Sequence, residues 1–408
     1  VQAGVFAALA RVVTSRGGSL GILIFALAVY VVGAMLSSRV QIGESEPGSP
    51  ILYPDHDYNV SSKNINANFP GSEEMYVVAR TSEPGGIKRP EVLRALQDFQ
   101  IHMLQDPEMG GTKGIPDLVK QVNQILHNDD PRWAVIPDEA SYVGGLMFAF
   151  MASSPIPGAL KEFVDPEDQT ANLVFFYKDH KGETLRRAIH MAKEWIEDPA
   201  NQVEGLEMRL AGGPIGVTAA INEAAFESNM IIIPAAMALI FLFVTLFYWS
   251  FHAGWLMFLV MTFCTVATYA YMGIVGIGID VNTVPIIAVG IGVGIDYSIY
   301  MMDRVREETA RFRGDLDAGI RYAIATTGKA IAFTATALIG GVVMWAFVSD
   351  LRFQADAALL LVVMLVLNAW AAANLVPAWI VRFRPAFIVR AAEPEIEVGE
   401  IHAKPVTA

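Results

Sequence analysis

Cysteine is almost missing from this sequence: Cys264 is the single one in 408 residues. No disulfide can form within the chain, and cysteine usage says nothing about redox compartment. Cys264 lies in an apolar run, where a free thiol reads as a small packing residue between helices. Histidine is sparse as well. The seven histidines (56, 102, 127, 180, 190, 252 and 402) never fall at ligand spacing, which argues against a metal site. No nucleophile–base spacing and no phosphate loop is found, so no enzyme is expected. Charge is scarce too, at 17% of residues, against about 25% in an average soluble domain. The net charge of −13 is local. Residues 40–228 hold 29 Asp or Glu against 15 Lys or Arg, and that acidity argues against nucleic acid as a partner.

Apolar residues take the place of charge, at 53% of the chain with a mean hydropathy of +0.41. They gather in runs near 19–36, 229–249, 254–276, 282–302, 327–349 and 356–381. About 20 mostly apolar residues cross the roughly 30 Å of bilayer hydrocarbon, so the runs predict six spans, one before the acidic segment and five after it. Arg11 and Arg16 precede the first run, Arg304 to Lys329 fill the link between the fourth and fifth, and Arg382, Arg384 and Arg390 follow the sixth. With alternating crossings these clusters fall on one side, which the positive-inside rule makes cytoplasmic. No Ala-x-Ala pattern follows the first run, so an uncleaved span is expected. The resulting division is a cytoplasmic N-terminus and first span at 1–38, an external domain at 39–228, and spans two to four at 229–303. A cytoplasmic Arg-rich link at 304–326, spans five and six at 327–385, and a disordered acidic tail at 386–408 complete it.

The external domain reads as mixed α and β. Strands are expected at Glu74–Arg80, Asn172–Tyr177 and Leu206–Leu210. Helices are expected after Pro90 (apolar at 92, 96, 99 and 103), after Pro116 (118, 122 and 125) and through Leu185, Ile189, Ala192 and Ile196. Strand–helix–strand order occurring twice predicts a split βαβ domain of ferredoxin-like type. Within it Tyr142–Met151 is apolar but too short to span. It reads either as an ordinary buried segment or as a Met- and Phe-rich wall of a hydrophobic substrate path, with Tyr142, Met147, Phe148, Phe150 and Met151 as the candidates.

The fourth run contains Asp296. An ionised carboxylate within a span costs about 3 kcal/mol on insertion scales, and such a residue is a functional candidate by default. Gly290 and Gly294 share a helix face, with Gly292 between them, and small residues at that spacing let another helix approach closely. Thr334, Thr336, Asn368 and Asn374 are further polar groups at depth, either extending a hydrated relay or bonding between helices. Asp303 and Asp356 stand at predicted span ends, where solvation is easy.

The run Gly290-Ile-Gly-Val-Gly-Ile-Asp296-Tyr297, followed by Asp303-Arg304-Val-Arg306-Glu307-Glu308, resembles the signature of the resistance–nodulation–division superfamily. The match is to its branch of large mycobacterial-type membrane proteins and hopanoid-type lipid exporters. Ile42-Gly-Glu-Ser-Glu-Pro-Gly-Ser-Pro50, Tyr58-Asn59 and Asn68-Phe-Pro-Gly71 are similar to the start of the second external domain in bacterial members. The resemblance implies a proton-driven exporter of lipids or other hydrophobic molecules in a bacterial inner membrane, with its porter-type domain in the periplasm. It makes Asp296 the proton carrier and Tyr297 its hydrogen-bond partner, with protons as coupling ion and no other cofactor. Full members have two six-helix repeats. This chain carries one Asp–Tyr motif and starts at Val1, so it is expected to be the C-terminal half of a longer chain, facing a second half. Membrane lipids, a homo-oligomer and periplasmic or outer-membrane accessory proteins are the partners the resemblance admits. The alternatives are a relative of the auxiliary subunits of the Sec translocon and a sterol-sensing-like receptor or scaffold that does not pump.

Overall fold

A computed structural model describes residues 4–41, 43, 48–156 and 158–389. The tail beyond 389, expected to be disordered, lies outside the described residues, as does most of the 42–50 segment. The chain divides into two compact units. One holds the residues up to Val40 and those from Glu227 onward; the other is Gln41–Phe226.

Among the described residues, six helices are long and apolar enough to cross a membrane: Arg16–Ser37 (span 1), Gly213–Tyr248 (span 2), Phe251–Val275 (span 3), Thr283–Arg311 (span 4), Leu316–Val348 (span 5) and Arg352–Phe383 (span 6). Spans 5 and 6 each contain one π-helical turn, at Ile324–Gly328 and Ala371–Leu375. Span 4 packs on spans 3, 5 and 6. Its buried side, with Ile287, Ile291, Ile295, Met301, Met302 and Val305, belongs to the core of this unit. The segment expected to be a link at 304–326 is mostly helical. Span 4 runs on to Arg311, and span 5 starts at Leu316 behind an Asp315 cap that accepts from the Ala318 amide. The physical reason is the composition of 303–311, which is rich in Arg, Glu and Ala. These are good helix formers, and Arg304 pairs with Glu307 and Glu308 at helical spacing, at 2.7 and 2.8 Å.

The second unit is built from α1 (Asp57–Asn68), β1 (Glu73–Thr81), α2 (Pro90–Met103), β2 (Met109–Lys113), α3 (Ile115–Leu126), α4 (Ala140–Ser153), β3 (Thr170–Tyr177), α5 (Gly182–Glu197) and β4 (Leu206–Gly212). The four strands form one antiparallel sheet in the order β2-β3-β1-β4. β1 pairs β3 from Glu73 opposite Tyr177 to Arg80 opposite Thr170. Proline opens α2, where its missing N–H costs nothing. The helix then buries Val92, Leu93, Leu96, Phe99 and Met103. Phe99 meets Phe175 edge-on at 5.3 Å and Trp195 at 5.0 Å, and each such buried ring contributes about 2–3 kcal/mol. This aromatic cluster ties α2 and α5 to one face of the sheet. At the end of β3 the Tyr177 hydroxyl is buried without a partner among the described residues. Burial first, and the Asp106 carboxylate second, push its pKa up.

Candidate functional site: the two faces of span 4

Span 4 sorts its residues by side. One face is packed: Gly290, Gly294, Tyr297 and Ser298 are buried. A Cβ on Gly290 would collide with the Met364 side chain, and one on Gly294 with the Asn368 amide, both on span 6. The other face carries Pro285, Val289, Gly292, Asp296, Tyr300, Asp303 and Glu307, all exposed. These positions follow steps of three and four, one stripe of a helix. Gly292 therefore belongs with Asp296 and not with the packed glycines, and a Cβ there would meet nothing within 4 Å among the described residues.

Asp296 forms no hydrogen bond or ion pair among the described residues, and it stands on the exposed stripe midway along the span. Tyr297 is 5% exposed and its hydroxyl is buried with no partner among the described residues. The Asp296–Tyr297 hydrogen bond that the resemblance implies is thus not formed here. Neighbouring positions on a helix point about 100° apart, so the carboxylate turns outward while the phenol turns in.

Tyr297 instead lines a groove of about 380 Å³ between spans 4 and 5, together with Tyr300, Asp303, Arg304, Glu307, Thr327 and Thr334. Of the polar groups proposed from the sequence, Thr334 is brought to this groove. Asn368 is buried and its Nδ2 donates to the Met364 carbonyl at 2.8 Å. Thr336 is exposed and its hydroxyl donates to the Ala332 carbonyl at 2.7 Å. Asn374 likewise bonds within its own helix, to the Trp370 carbonyl at 3.0 Å. Tyr300, Glu307 and Thr327 were not picked out from the sequence. The first two are readable as the continuation of the Asp296 stripe at helical spacing; Thr327 stands on the π turn of span 5, for which the sequence holds no signal. The acids further along are engaged: Arg304 holds Glu307 and Glu308, and Asp303 accepts from the Tyr248 hydroxyl at 3.4 Å. Asp296 alone in the stripe is a carboxyl with neither a hydrogen bond nor an ion pair among the described residues.

In the other unit, Tyr142–Met151 lies within α4. Val143, Leu146 and Met147 face the core, Phe150 packs partly against it, and Tyr142 donates to the Asn123 side chain at 3.2 Å. Phe148 and Met151 are 65% and 48% exposed. The stretch is thus neither wholly buried nor wholly a wall. Among the described residues, no group of three or more His, Cys, Asp or Glu is placed to hold a metal.

The MMPL family profile matches residues 54–391. A membrane protein of Methanocaldococcus jannaschii is 23% identical over 258 residues, which is 62% of this chain and 62% of that protein. The fold is similar to the cryo-EM structure of the hedgehog release protein Disp from the water bear Hypsibius dujardini, with a TM-score of 0.59 at 10% identity, over 95% of this chain and 49% of Disp. The chain thus spans about half the length of Disp. With the match to most of its length and, among the described residues, six helices long and apolar enough to cross a membrane, the chain is a multi-pass membrane protein that belongs to the MMPL family.

Proposed function

We propose that this chain is one half of a proton-driven transporter that moves lipids or other hydrophobic molecules from a bacterial inner membrane, with Asp296 as the proton carrier. The observation that carries the reading is the outward, unpartnered Asp296 beside Gly292. Facing lipid, an ionised carboxylate costs about 3 kcal/mol or more. Covered by a second six-helix half, it becomes a protected site, and the missing side chain at Gly292 gives that half room for close approach. Apolar surroundings favour the neutral carboxyl, whereas water or a nearby cation favours the carboxylate. Alternation between two such settings loads a proton on one side and releases it on the other. Each charge that crosses contributes about 2.3 kcal/mol per 100 mV. The groove at Tyr297, Tyr300 and Thr334 is the polar way in or out.

The rest of the arrangement follows from the same reading. The Arg clusters support a cytoplasmic N-terminus and a cytoplasmic turn after Arg311, with the Gln41–Phe226 unit in the periplasm. Its strand order, with a helix in each crossover, supports a ferredoxin-like porter domain with an insertion between β2 and β3.

The test is proton uptake into vesicles under an imposed pH gradient, comparing the assembled transporter with Asp296→Asn. Asparagine keeps the size and the hydrogen bonding but carries no proton. Loss of flux with normal folding and insertion is the expected result. Unchanged flux overturns the relay and leaves the non-pumping receptor or scaffold as the better reading.

A further inference from the structure

The exposed half of α4 does not stand alone. Met147, Phe148 and Met151 form one wall of a groove of about 360 Å³ whose other side is Leu160, Val164 and Pro166, with Lys88 and Lys161 at its rim. That volume is near the lower end of the roughly 300–1,000 Å³ of small-molecule sites, room for one chain rather than two. The walls are apolar, and two thioethers let them adapt to a flexible occupant.

Two lysines and two aspartates line the groove, so its formal charges cancel, but their partners differ. Lys88 is paired with Asp168. The Asp165 carboxylate accepts from the amides of Gln169 and Thr170 at 2.7 and 3.0 Å. Glu162, next along the chain, is held by Lys113 at 2.7 Å. Asp168 and Glu162 are thus paired with lysines and Asp165 is held by backbone amides, while Lys161 is exposed and has no counter-ion among the described residues. Its methylene stem lies over Gly158, about 3.5 Å from where a Cβ would stand, which leaves the ammonium at the end of an apolar trough.

We infer that this groove binds a single-chain anionic amphiphile, its acyl chain between α4 and Leu160–Val164 and its acidic head on Lys161. An apolar body and an acidic head require this pairing of surfaces. The inference rests on the reading of the chain as a mover of hydrophobic molecules, and gives that cargo a chemical class.

The full chain in phosphatidylcholine vesicles is exposed to a diazirine-bearing hexadecanoic acid or to its methyl ester, and the label is mapped by mass spectrometry. The acid labels Met147–Met151 about fivefold more than the ester, and Lys161→Gln brings the acid down to the ester's level. Lys161→Arg keeps the preference. Gly144→Leu, whose Cβ would meet only the flexible Lys88 stem at 3.4 Å and whose branch would fill the groove, removes labelling by both. Equal labelling by acid and ester, or acid labelling unmoved by Lys161→Gln, overturns the inference. Proton flux is measured on the same vesicles of the assembled transporter. Asp296-dependent flux with labelling indifferent to Lys161 sinks this inference alone. Lysine-dependent labelling with flux indifferent to Asp296 sinks the transport reading and leaves the groove.

Discussion

Gly294 and Asn368 bring spans 4 and 6 together so closely that a single methyl group on Gly294 would collide with the Asn368 side-chain amide. Asn368 cannot swing away freely, because it is buried and its Nδ2 is bonded to the Met364 carbonyl. Gly294→Ala is therefore expected to destabilise the helix bundle by about 1–3 kcal/mol, the usual cost of overpacking. Gly290→Ala costs less, since the first atoms met belong to the flexible end of Met364. Thermal unfolding in detergent checks both. Adding Asn368→Ala to Gly294→Ala restores most of the loss if this contact is its cause.

Tyr297→Phe separates structure from transport. The buried hydroxyl has no partner among the described residues, and removing an unsatisfied polar group is neutral to mildly stabilising, within about 1 kcal/mol. The melting temperature should hold or rise while proton flux falls. A drop in melting temperature would mean that the hydroxyl is satisfied in the assembled protein.

The parts of this molecule that could be read from the sequence are those where one residue type repeats with a clear period. The spans show because 20 or so apolar residues have one common explanation, and β1, β3 and β4 show because their apolar positions are bounded by turns. β2, read Met-Gly-Gly-Thr-Lys, carries no alternation, and only its pairing with β3 makes it a strand. α1, with Asn59 and Asn66 as its buried residues, has no apolar stripe to find. At the site, the packed role of Gly290 and Gly294 was legible from their spacing. The opposite side of Gly292 follows from the same spacing, since it is two residues from each. What the sequence could not supply is tertiary: that Thr334 reaches the Tyr297 groove while Thr336 and Asn368 turn to their own helices.

Alkaline pH should weaken the Gln41–Phe226 unit through Tyr177. Its folded pKa is raised above the ordinary tyrosine value of about 10, chiefly by burial and then by the Asp106 carboxylate. Above about pH 10 the unfolded chain gives up this proton while the folded one keeps it, so the folded state binds more protons and stability falls as pH rises. The slope is about 1.4 kcal/mol per pH unit for one group, until the folded pKa is reached. Urea unfolding at pH 9 and pH 11, compared with Tyr177→Phe, isolates this contribution. The phenylalanine variant should lose that much less between the two pH values, and an equal loss would show that the phenol finds a partner or water.

Gly292 offers the sharpest contrast with Gly294. A Cβ at Gly292 meets nothing within 4 Å among the described residues, and replacing glycine within a helix gains up to about 1 kcal/mol. The isolated chain should therefore be as stable with Gly292→Leu as without it, or slightly more so. In the assembled transporter the same side chain would stand one turn from Asp296, where the second half is proposed to pack, and it should abolish or strongly reduce proton flux. The measurement is flux into vesicles beside thermal unfolding of the single chain. Stability and flux both unchanged would mean that lipid, not protein, covers this face. Asp296 would then have to stay protonated against the hydrocarbon or reach toward the headgroups, and neither state can carry a proton across on its own.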